Sequence, residues 1–112
     1  MRRVVFALLV LTTTAHAQAV VFKYDQWDRL SPGLKEIYIS GAIDAVFTIA
    51  VPAQAGTAKY YNDCIVKNGI TAHDLAEEMK SVVRTRPEFY PKPATAVLLL
   101  AMIKLCGQPV PE

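Results

Sequence analysis

Positive charge is in short supply once the first three residues are set aside. Of twelve Lys and Arg, two are Arg2 and Arg3, and the remaining ten balance the ten Asp and Glu. No basic patch and no basic-aromatic interleaving remains to neutralise phosphates, which excludes nucleic acid as a partner. The same balance argues against electrostatic attachment to anionic lipid. Histidine is scarce too: one of the two is His16, leaving only His73 in the body of the chain. Metal-ligand spacing is therefore absent, and no metal or other cofactor is expected. No Gly-rich phosphate loop, Gly-x-Ser-x-Gly elbow or Ser-x-x-Lys motif occurs among 112 residues. No apolar run approaches the roughly 20 residues of a membrane span, so no membrane association is expected of the mature form.

What the N-terminus does contain is a three-part leader. Arg2 and Arg3 are followed by the apolar Val4–Leu11, and Thr12–Ala17 ends in Ala15-His16-Ala17. That order is the pattern of a secretory signal peptide. The reading divides the chain into a signal peptide (1–17), a lead-in segment (18–30), a helical domain (31–107) and a tail (108–112). Cleavage before Gln18 and a periplasmic location are expected. No cysteine follows the cleavage site, which disfavours lipid anchoring.

Cys64 and Cys106 are the only cysteines. In an oxidising compartment a disulfide is the simplest reading. It closes a loop of about 43 residues, worth about 4 kcal/mol in the chain-entropy model. Two buried thiols, a metal pair and a redox pair are the alternatives. The last lacks the usual Cys-x-x-Cys spacing.

The fold class expected is all-α: three principal helices, with a fourth as the alternative, stapled by one disulfide. The first runs from Pro32 to about Ile49, with Ser31 as N-cap and Pro32 at the first helical position. Glu36, Ser40, Asp44 and Thr48 form a polar stripe at four-residue spacing, and apolar residues cover most of the remainder. This predicts a largely buried helix with one polar edge. Gly41 in its middle costs about 1 kcal/mol against Ala, which predicts close approach by another helix. Residues 52–57 read as a linker and 58–66 as either a short helix or an extended segment. Asn68-Gly69 reads as a turn with positive φ.

A second helix starts at Thr71, with Asp74 positioned for a capping box. Its apolar residues Leu75, Met79, Val82 and Val83 share one face, and Pro87 ends it. A third, central helix runs from about Pro93 to Leu105, with Gly107 as its cap.

Candidate chemistry is thin. His73 reads as a solvated helix-start residue rather than a base or pH switch. Asp44 reads as a carboxylate that bonds a loop backbone rather than a buried acid. No catalytic residue is assigned. Tyr60, Tyr61 and Asp63, together with Phe89 and Tyr90, are candidate partner-binding groups, since tyrosines in rigid loops make good anchors. Covering the disulfide and the core is the competing role.

From Tyr38 onward the chain resembles the Tai/Rap-type immunity proteins of bacterial type VI secretion. The matching segments are Tyr38-Ile39-Ser40-Gly41-Ala42-Ile43-Asp44 and the turn Cys64-Ile65-Val66-Lys67-Asn68-Gly69-Ile70-Thr71. Leu75, Pro87, Ala94 and the Leu105-Cys106 helix end follow in order, over about seventy residues. Val66 stands where the family pattern has Pro, and the extra cysteines often found near the first helix are missing. The resemblance implies a small helical periplasmic protein. Its protein partner would be a secreted effector toxin, such as a peptidoglycan amidase, which it blocks by binding. Members of that family can also be homodimers.

Two competing readings predict different behaviour. A periplasmic stress chaperone would lose structure and hold clients near pH 2 to 3, about a unit or more below ordinary carboxylate pKa values. A small hydrolase would lose activity in Asp44→Asn or His73→Ala variants.

Overall fold

A computed structural model describes residues 21–110. The signal-peptide reading of 1–17, the first lead-in residues and the last two tail residues lie outside them. Five α-helices follow one another: α1 (Tyr24–Asp28), α2 (Pro32–Ile49), α3 (Ala55–Asn68), α4 (Ala72–Thr85) and α5 (Ala94–Cys106). Single 3-10 turns at Pro52–Gln54 and Pro87–Phe89 lie before α3 and after α4. No strand occurs among the described residues, and the all-α class follows.

The core forms where α4 crosses α5. Leu75, Ala76, Met79 and Val82 of α4 meet Ala94, Val97, Leu98, Ala101 and Met102 of α5. The periodicity of α4 is real: its apolar residues project to one side and its charges to the other. Its start is a complete capping box. The Asp74 N–H donates to Thr71 Oγ1 (3.1 Å), and the Thr71 N–H donates to Asp74 Oδ2 (2.8 Å). Two orphan amides of the first turn are satisfied this way. The Thr71 amide and hydroxyl both donate to Asp74 Oδ2 and hold that carboxyl below its ordinary range.

The lead-in is built into this core. Tyr24 and Trp27 of α1 are buried, Trp27 completely. Backbone bonds fasten α1 to the loop before α5: Tyr24 N–H to Lys92 O and Ala94 N–H to Phe22 O, both 2.8 Å. The Trp27 indole donates to Lys35 O (3.3 Å), tying α1 to the start of α2. The poor alternation of residues 18–27 conceals this, because a five-residue helix shows too little of a 3.6-residue period to be recognised.

Residues 52–57 are not a linker. Pro52 opens a 3-10 turn, where its missing N–H costs nothing, and the chain continues directly into α3. The ambiguous 58–66 is therefore helix. Gly69 ends α3 at φ 60°, and the Ile70 N–H returns to Ile65 O (3.0 Å) in a Schellman-type closure. Cys64 of α3 is bonded to Cys106 of α5, with Cα atoms 6.0 Å apart. The disulfide is thus the one that the two cysteines suggested.

Burial of α2 departs from expectation. Only Ile39 is fully buried, while Leu34, Ile37, Val46 and Ile49 are about half exposed or more. The apolar residues of α2 surround the helix, and a chain this short covers only one side of it. Gly41 has no close neighbour either. A Cβ there would meet nothing within 4 Å. Ser31 sits at the N-cap but its side chain makes no capping bond.

Candidate functional site

Both residues weighed for catalysis, Asp44 and His73, lie at the surface. Asp44 is exposed and makes neither a hydrogen bond nor an ion pair among the described residues, so it neither acts from a buried site nor anchors a loop. The reason is the outward face of α2, which no other element covers. His73 is exposed, and its Nδ1 lies 3.2 Å from Glu36 Oε1, linking α4 to α2. Among the described residues, no nucleophile is bonded to that imidazole. Ser81 accepts from Lys104 Nζ at 3.3 Å, but Lys104 is also engaged by Glu78 at 2.8 Å. The trio cross-links α4 and α5 at the surface. No group of three metal-ligating side chains occurs among the described residues.

The five candidate anchor residues do not converge. Tyr60 is tied to the C-terminal end of α5, its hydroxyl donating to Cys106 O. Tyr61 is buried, with its ring edge-on to Tyr60 at 5.2 Å between centroids. Burial pushes the Tyr61 phenol upward. Asp63 is exposed and paired with Lys59 one turn away, a contact of small energetic weight. Phe89 is half-buried beneath the Arg86 guanidinium, 4.5 Å from the ring centroid. Tyr90 is half-exposed, edge-on to Tyr24 at 6.0 Å. Tyr60 and Tyr61 therefore serve the core and its staple, whereas Tyr90 remains available at the surface. Of the remaining motif positions, Gly69 and Thr71 serve as caps. Tyr38 packs on Phe22 at 5.5 Å, while Gly41 and Asp44 face outward.

Two concavities stand in their place. The larger is a groove of about 730 Å³ between the C-terminal half of α2, α3 and α5. Val46, Ile49, Tyr61, Leu99 and Met102 are among the residues that line it, with Gln54, Thr57 and Thr95 as its polar members. No charged side chain lines it. Between Asp44 and Lys59 the sequence itself carries no charge, so the corner from α2 to α3 extends this surface. Exposed apolar patches of this kind are common at interaction surfaces. Sequence alone does not reveal it, because the apolar excess of α2 reads as burial. The available signal was the length of the uncharged stretch.

The smaller concavity, of about 420 Å³, lies between α1, α4 and the Pro87–Phe89 turn. Tyr24, Asp28, Lys80, Arg84, Pro87 and Tyr90 line it. Burial pushes the Tyr24 phenol up to about 12; Asp28 and Tyr90 add to this, and Arg84 opposes it. The direction has a consequence for folding. Below pH 10 the phenol is neutral whether folded or not, and the stabilisation is fully present. Between pH 10 and about 12 only the unfolded chain ionises, so stability falls as pH rises. Loss of up to about 3 kcal/mol is expected over that window, at about 1.4 kcal/mol per unit. Chemical denaturation of wild type and Tyr24→Phe across it checks this: the variant should show the flatter slope, and equal slopes would contradict the burial effect.

No single described helix is long and apolar enough to cross a membrane. No family model, no curated protein and no solved structure matches this chain.

Proposed function

We propose that this chain is an exported binding protein of immunity type, which neutralises a secreted cell-wall-degrading effector by docking against it. The observation that carries the reading is the uncharged groove between α2, α3 and α5, flanked by half-exposed aliphatic side chains. A scaffold that leaves such a surface open has an apolar partner to bury it against. Three further features support the reading: a leader-like N-terminus, a disulfide suited to an oxidising compartment, and the ordered resemblance from Tyr38 to Cys106. The periplasm is the location that agrees with all three. Binding rather than catalysis is the proposed activity.

The test pairs the protein with the toxin encoded beside it. Co-purification and rescue of growth are the expected results. Val46→Asp and Leu99→Asp place a charge in the groove at half-exposed positions, so the fold should survive. Each should weaken binding about thirtyfold or more, the scale of a hot-spot residue. Far-UV circular dichroism reports folding in the same samples. Failure to bind every neighbouring toxin, or unchanged affinity in both variants, would sink the reading. A chaperone would instead hold unrelated unfolded clients through the same groove at low pH, which a light-scattering assay with any aggregating client detects.

A further inference from the structure

The smaller cleft has features that the groove lacks. It shares no lining residue with the groove, and its walls combine charge with aromatic rings. Charge pairing inside it is uneven. Lys80 is paired with Glu77 at 2.8 Å, and Asp28 with Lys35 at 3.4 Å. Arg84 has no ion-pair partner among the described residues. The cleft therefore presents one uncompensated guanidinium.

A second polar group waits beside it. Tyr24 is only 3% exposed, yet its hydroxyl makes no hydrogen bond among the described residues. Its electrostatic neighbours, Asp28, Tyr90 and Arg84, all line this cleft, so the hydroxyl sits at the cleft wall. The hydroxyl itself still reaches solvent, so its proton is free to point into the cleft.

We propose that the cleft between α1, α4 and the Pro87–Phe89 turn binds a carboxylate, with Arg84 as the anion-holding group and the Tyr24 hydroxyl as a second donor. A guanidinium matches the planar, singly charged carboxylate in a two-bond fork. One uncompensated cation beside Asp28 disfavours a doubly charged phosphate. The Tyr90 ring and Pro87 offer an apolar surface to the body of the ligand. Peptides meet this description in two ways, through a free C-terminus or an acidic side chain. The site stands apart from the groove and does not depend on the function proposed for it.

The experiment is an NMR titration of the isotope-labelled, oxidised full chain, following the Arg84 side-chain Nε–Hε signal and the backbone amides of the residues around the cleft, which report binding in every variant. Four probes are used: acetyl-Leu-Leu with a free carboxylate, its C-terminal amide, acetyl-Asp amide, and inorganic phosphate. A saturable shift with a carboxylate probe and none with acetyl-Leu-Leu amide is expected. Response to acetyl-Leu-Leu alone assigns C-termini, and response to acetyl-Asp amide assigns side chains; either supports the carboxylate site. Arg84→Gln should weaken binding about tenfold or more, Tyr24→Phe about threefold, and Arg86→Gln not at all. Equal binding of acid and amide would overturn the proposal, as would binding undiminished in Arg84→Gln. Stronger binding of inorganic phosphate than of either carboxylate would overturn it too. The acid–amide comparison uses the wild-type protein, so a misfolded variant leaves the outcome decidable.

Discussion

Reduction of the Cys64–Cys106 disulfide is expected to lower the unfolding free energy by about 4 kcal/mol. The bond joins residues 42 apart in sequence, and the loop it closes contains all of α4. An unfolded chain so constrained has fewer conformations to gain, which raises its free energy relative to the native state. In a domain of this size the total is on the order of 5–15 kcal/mol, so the loss is large. The native structure adds a local reason to expect damage. Only Tyr61 of α3 is fully buried, and Tyr60 is held by its bond to the carbonyl of Cys106 itself. Without the staple, α3 has the weakest grip on the core, and α3 forms one wall of the groove. Urea denaturation of the oxidised protein and of Cys64→Ser/Cys106→Ser measures the effect. The variant should show a lower midpoint and a steeper dependence on denaturant, because its unfolded state is more expanded. Amide exchange should accelerate first in α3. A stability change under about 1 kcal/mol would contradict the view that the staple compensates for a small core.

Trp27→Ala is expected to cost about 3 to 5 kcal/mol, the range for removing a large aromatic from a packed interior. Trp27 is fully buried although it belongs to a helix of five residues. It contributes in several ways at once. Its ring lies 5.4 Å from that of Tyr24, and the Lys35 ammonium sits 5.1 Å from its centroid. Its indole N–H also closes the link from α1 to α2. Truncation opens a cavity that five residues of helix cannot collapse to fill. Trp27→Phe retains most of the apolar volume and should cost roughly half as much. Thermal unfolding followed by circular dichroism ranks the three proteins. If Trp27→Ala unfolds at the wild-type midpoint, residues 21–30 are a dispensable arm and the core begins at α2. Loss of Trp27 should also loosen Tyr24, and with it the cleft in front of Arg84.

Legibility varied along the chain for physical reasons. α4 was readable because a Thr-x-x-Asp start, a one-sided apolar pattern and a terminal Pro agree with each other. α5 was readable from a short run apolar on every side. Asn68-Gly69 was readable as a turn because a positive φ there favours glycine. α1 and the first turns of α3 were not. In α1 the helix is shorter than the period needed to detect it. Before and at the start of α3, Pro52, Gly56 and Thr57 suggest a loop, whereas Pro is harmless at the start of the preceding 3-10 turn and the contacts of Tyr61 and Cys64 hold the rest.

The candidate sites divide in the same way. Tyr60, Tyr61 and Tyr90 are equivalent as residue types, yet one bonds the carbonyl of Cys106, one joins the core and one faces solvent. Composition alone does not separate them. Residue order and type sufficed for the helical class, the caps of α4 and the pairing of two lone cysteines, because these follow from local backbone chemistry and from simple arithmetic. Which side of α2 stays bare, where Arg84 meets Tyr24, and whether an uncharged stretch is hidden or displayed were decided only when the helices packed. Those outcomes depend on which surfaces a finite number of neighbours can cover, and that is a property of the assembled molecule, not of any segment.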